Sequence, residues 1–90
     1  MHKYRVIINY KRLRCESQED CDNEEHLFGK TYIFARSRFD CMNRIIEKYF
    51  NAPIYKVAQI EPIFVRKGEW EFWVYKSNTI EYHIVMKQIY

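Results

Sequence analysis

From residue 70 to residue 90 the chain alternates with the two-residue period of a β-hairpin, yet large apolar side chains fall on both of its faces. An antiparallel sheet with one solvated face shows apolar residues at every second position only. Here Trp70, Phe72 and Val74 share one face, while Trp73 and Tyr75 share the other. After a turn at 76–79, Ile80, Tyr82, Ile84 and Met86 form one row and Glu81, His83, Val85 and Lys87 the second. Function is expected on that second face.

Upstream, the same period predicts a strand over 3–13, with Tyr4, Val6, Ile8 and Tyr10 on one side and Lys3, Arg5, Ile7, Asn9 and Lys11 on the other. Arg12 and Arg14 extend its basic character. Residues 15–26 have no helix or strand period and are polar throughout, which predicts an acidic loop. A second strand follows at 27–36, with Gly29 marking a bulge or the strand's start. The helix is expected over 38–50, begun by Ser37 and Asp40 in a capping-box spacing. Phe39, Met42, Ile45, Ile46, Tyr49 and Phe50 fill an arc of roughly 140°, with Cys41 on its polar border. Asn51, tolerant of a left-handed backbone, and Pro53 stop it. A third strand is read at 54–61, which Pro62 confines to an edge, an end or a bulge. A turn at 66–68 leads to strands at 69–75 and 80–89. The expectation is one α+β domain over 1–90: a single antiparallel sheet of about five strands with one amphipathic helix on one face, in the order β-β-α-β-β-β.

That architecture is short of cover. A helix of about 13 residues is about 20 Å long and 10 to 12 Å across, whereas five strands span about 24 Å. The far face then presents Trp73, Tyr75, Ile7, Val85 and His83 among Arg5, Lys11 and Lys87, and an apolar patch of that size marks an interaction site. Two blander outcomes compete: the sheet curls and buries Trp73 and Tyr75 against its own loops, or the face forms a homodimer.

Composition sharpens the surface more than the fold. Six of the twelve acids lie between Glu16 and Glu25, leaving fifteen basic against six acidic residues elsewhere, so the body is basic. Eight Tyr, six Phe and two Trp supply burial that a 90-residue chain lacks in volume. No apolar run reaches the roughly 20 residues of a membrane span, and residues 1–10 lack the features of a signal peptide. A cytoplasmic location is expected.

Catalytic and metal chemistry find little support. Cys15, Cys21, His26 and Cys41 are zinc-ligand types, but five residues separate the first two where a knuckle needs two to four. Free, reduced cysteines are expected. Asp20, Asp22 and Glu24 begin like a calcium loop, yet Glu25 stands where glycine is required and Thr31 where the closing glutamate belongs. There is no nucleophile elbow, Walker loop or dinucleotide fingerprint, so neither an enzyme nor a cofactor is expected. Basic residues interleaved with aromatics instead suit phosphate neutralisation and base stacking, or a partner whose own surface handles nucleic acid. Arg5, Lys11, Arg12, Arg14, Arg66, Lys67, Trp73 and Tyr75 are the candidate contact residues. Ser37, between Arg36 and Arg38, offers a phosphate perch at a helix start.

A strand ending in Ala35-Arg36-Ser37, the amphipathic helix after it, and the aromatic meander ending EWEFWVYKSNTIEYHIVMKQIY resemble the layout of small phage proteins that disarm host defence. The chain is similar in particular to some anti-CRISPR proteins acting on type I surveillance complexes. The resemblance implies binding to a host protein or ribonucleoprotein complex without catalysis, through the basic rim and aromatic face. A net charge of +3 is at odds with the DNA-mimicking variety. Direct binding of single-stranded DNA or RNA by the same surface is the alternative.

Overall fold

The computed structural model describes residues 1–13 and 25–90. Six strands and one helix run in the order β1 (His2–Arg12), β2 (His26–Ala35), α1 (Arg38–Tyr49), β3 (Tyr55–Val57), β4 (Ile63–Arg66), β5 (Glu69–Lys76) and β6 (Ile80–Gln88). All pair antiparallel in one sheet ordered β2-β1-β6-β5-β3, with β4 also on β5. The α+β class and single sheet are as expected. The acidic loop at 15–26 lies almost wholly outside the described residues, although His26 already belongs to β2.

The pattern of alternation explains the core. Tyr4, Val6 and Ile8 of β1, Phe72 and Val74 of β5, and Tyr82, Ile84 and Met86 of β6 are buried on one face with Ile33 and Ala35 of β2. The helix lays Cys41, Met42 and Ile45 onto that face, and Phe50 follows them in. At its end Phe28, Phe50, Tyr55 and Tyr82 pack as a ring cluster with centroids 5.2 to 6.0 Å apart. Against the expected arc, Phe39 is exposed and Cys41 is fully buried. The buried face of the helix is rotated by roughly 60° from its apolar centre at 100° per residue, towards the side that carries the small Cys41 side chain.

Both helix ends differ in detail from the sequence reading. Ser37 Oγ accepts from the Asp40 N–H at 3.2 Å, but the Asp40 carboxylate, one methylene shorter than glutamate, accepts from the Arg36 N–H at 2.9 Å rather than from Ser37. That bond, with Arg44 Nε at 3.1 Å, holds the Asp40 carboxyl below its ordinary value. A carboxylate thus stands where a phosphate was expected. At the other end Phe50 closes the helix through its N–H to the Ile46 carbonyl, and no left-handed Asn51 is involved.

The strand expected over 54–61 is formed only at Tyr55–Val57, and a further strand not expected from the sequence, Ile63–Arg66, follows Pro62, so the sheet has six strands rather than five. Val57 faces Val74 and Ile63 faces Glu71, so six residues of the outer chain advance against three of β5. The surplus forms a bulge at 58–62. Across it the Ala58 N–H donates to the Trp73 carbonyl at 3.0 Å, and Gln59 Oε1 accepts the Trp73 N–H at 2.8 Å, so a side chain replaces a missing backbone partner. Ile60 is expelled into solvent at 101% exposure, while Pro62 is buried. The edge and bulge that Pro62 imposes are both present.

Arg66 then pairs with Glu69 across a tight turn whose second residue, Gly68, has φ of +79°. An added Cβ there would meet only the Gln88 carbonyl oxygen at 3.8 Å, so the cost of Gly68→Ala is backbone strain rather than a clash. A loss of about 1 to 2 kcal/mol is expected, to be read as a lower urea midpoint at unchanged slope.

Candidate interaction surface

The face of the sheet opposite α1 has no second layer over it among the described residues, as the shortage of cover required. It is organised in rows across the strands. Lys11, Glu81 and Tyr75 lie opposite one another on β1, β6 and β5, as do Asn9, His83 and Trp73, then Ile7, Val85 and Glu71, then Arg5, Lys87 and Glu69. The Trp73 and His83 rings stack at 4.8 Å and 11°. His83 Nε2 lies 2.9 Å from Glu71 Oε2 and Nδ1 3.5 Å from Glu25 Oε1. The Tyr75 hydroxyl donates to Glu81 Oε1 at 2.9 Å, a bond that raises its pKa ahead of burial, and Lys11 Nζ meets Glu81 Oε2 at 3.2 Å.

Trp73 and Tyr75 are therefore neither sealed in the core nor free: both are half-buried and held by neighbours. Arg5 is half-buried in the middle of β1, and no described acceptor hydrogen-bonds its Nε. Arg12 is exposed at the end of β1, and Lys67 at the β4–β5 turn. Arg66 Nε lies 2.7 Å from Glu69 Oε2. Arg14 lies outside the described residues. The described contact residues thus spread along the sheet, with Lys11, Arg12 and Tyr75 at one end, Trp73 between, and Arg5, Arg66 and Lys67 at the other end, about 20 Å away at six residues of strand. Glu69 and Glu81 lie against these cations and Glu71 stands between the two ends, so this face carries mixed rather than basic charge. Glu69, Glu71, Trp73 and Tyr75 alternate visibly in EWEFWVY, and the carboxylates were the part of that row left out of account.

The larger opening is on the helix side, where the sequence predicted only core. Helix α1 packs against β2 and β6 and is about 18 Å long at 1.5 Å per residue, and at the β4 end of the sheet the side chain of its first residue, Arg38, lies over Trp70. Trp70 is left half-buried there, 6.4 Å from the Tyr4 ring. Over it sits a cavity of about 540 Å³ lined by Arg38, Glu61, Pro62, Ile63, Phe64 and Trp70. A second, of about 720 Å³, shares Phe64 and Trp70 and runs on to Lys67, Ile89 and Tyr90. The two form one groove. The Arg38 guanidinium stands 5.6 Å from the Trp70 centroid at one end and Lys67 at the other, and the fully exposed Ile60 directly precedes Glu61 of the lining in sequence.

Cys41 is shut away from all of this. Burial pushes its thiol up to about 12, with the Asp40 charge adding to the shift. A folded-state pKa raised this far contributes stability that is present below the ordinary thiol range and is lost as pH rises towards 12. Iodoacetamide at mildly alkaline pH is expected to leave Cys41 unmodified in the native protein and to alkylate it in guanidinium, as peptide mass spectrometry would show. Among the described residues no three ligand-type side chains converge on a metal-sized space, and no helix is long and apolar enough to cross a membrane. No protein-family model, curated protein or solved structure matches the chain.

Proposed function

We propose that this protein is a non-enzymatic interaction module that binds a host defence or nucleic-acid-handling protein, in the manner of the phage-encoded, anti-CRISPR-like inhibitors whose layout it resembles. The observation that carries this reading is the groove over Trp70, with the fully exposed Ile60 one residue before Glu61 of its wall. Exposed apolar side chains around an aromatic floor are the make-up of a docking anchor, and its rim of Arg38 and Lys67 suits an acidic partner surface. The far face supports the anchor from behind, since Gln59, which braces the bulge, is fixed to the backbone of Trp73. Direct binding of single-stranded nucleic acid is less well supported, because it would lay phosphates against Glu69, Glu71 and Glu81.

Two measurements separate the readings. Immobilised protein is expected to retain one stoichiometric protein or ribonucleoprotein from host lysate, and an Ile60→Asp/Phe64→Lys variant is expected to lose it. Labelled single strands should show no shift at low salt. A shift that falls steeply with salt and disappears in Trp73→Ala would instead establish the nucleic-acid reading.

A further inference from the structure

At the margin opposite the groove, the outer edge of β2 has no partner strand among the described residues. At 10 residues it is about 33 Å long. Edges of this length are normally blunted by proline, inward charges, several lysines or a bulge; β2 has a bulge at Phe28 near its start, but the regular stretch after it, GKTYIFA, holds no proline, no acid and one lysine. On the far face Leu27, Tyr32 and Phe34 are 65%, 52% and 49% exposed, and Phe28 is 51% exposed towards the helix side. We propose that β2 pairs antiparallel with β2 of a second copy about a two-fold axis, joining two six-stranded sheets into one.

The charge pattern selects a second copy as the occupant. Between β1 and β2 the chain already sets a lysine on these rings: Lys3 Nζ is 4.8 Å from the Tyr32 centroid and 5.9 Å from that of Phe34. A two-fold axis at Thr31 places Lys30 opposite the partner's Tyr32. An axis at Tyr32 places it opposite the partner's Phe34. Either arrangement sets a cation against an aromatic twice over by symmetry and brings no like charges face to face. The direction also fits, because antiparallel pairing continues the alternation of every other strand in the sheet. The four half-exposed side chains leave roughly 400 Å² per copy to bury, which with the strand backbones approaches the lower range of specific interfaces, about 1,200 Å² in total.

Light scattering on the full chain over a concentration series is expected to show the mass rising from one copy to two. Tyr32→Lys with Phe34→Lys should raise the dissociation constant by at least about tenfold, and Lys30→Glu, at an exposed position, should weaken pairing too and serves if the double variant folds poorly. Phe64→Lys, on the opposite margin, should leave the dimer intact. A wild-type mass of one copy at every concentration would overturn the proposal. So would a dimer that survives the β2 variants, or one that is lost with Phe64→Lys instead.

Discussion

Phe72→Ala is expected to cost about 3 to 5 kcal/mol, the largest loss from any single truncation proposed for this protein. Phe72 is fully buried at the centre of β5, with Ile84 opposite it on β6. Removing the ring opens a cavity that a sheet hydrogen-bonded on both sides of β5 cannot collapse to fill. A domain of this size has about 5 to 13 kcal/mol to lose, so one such cavity is a large share of the total. Urea denaturation followed by tryptophan fluorescence would show the midpoint fall sharply with the slope little changed. Phe72→Leu, which keeps most of the volume, should cost less than about half as much. The neighbouring Trp73→Ala makes the contrast, because it removes a half-buried ring from the other face and with it a stack worth about 0.5 to 1.5 kcal/mol beyond burial. Equal losses for Phe72 and Trp73 would contradict the assignment of the two faces.

Those faces were legible in the sequence because a strand's period of two is unforgiving: Phe72 and Val74 must point together, and away from Trp73 and Tyr75. The hairpin ends, the helix cap at Ser37 and the edge role of Pro62 were legible for similarly local reasons. What the sequence concealed depended on distance. The 58–61 stretch reads as the continuation of a strand because its apolar residues continue the pattern, and only the register on either side of it against β5 shows a surplus of three residues, with Ile60 left in solvent. The rotation that buries Cys41 and exposes Phe39 depends on which side chain is small enough to approach the sheet, which periodicity does not weigh. The shortage of cover pointed, from the sequence, to the face opposite the helix. There, cross-strand pairs such as Tyr75 with Glu81 and His83 with Glu71 satisfy much of the surface. Its sharper consequence is on the helix side, where a helix of 12 residues leaves Trp70 half-buried.

If the Trp70 groove is the docking anchor, Ile60→Asp and Phe64→Lys should each weaken partner binding by about 30-fold or more, the loss typical of a hot-spot side chain worth about 2 kcal/mol. Neither should destabilise the fold by more than about 0.5 kcal/mol, since Ile60 touches solvent on all sides and Phe64 is 65% exposed. That separation matters, because loss of binding in a protein whose melting is unchanged cannot be charged to unfolding. The rim makes a different signature. Lys67→Glu, at the exposed turn beside the groove, should slow association and flatten its salt dependence while leaving dissociation nearly unchanged, as expected of a charge that steers rather than anchors. Surface plasmon resonance with the captured partner would read all three variants. Should Ile60→Asp and Phe64→Lys bind as wild type while Trp73→Ala or Lys11→Glu abolishes binding, the contact surface would be the opposite face of the sheet, and the groove would be a consequence of a short helix with no bearing on recognition.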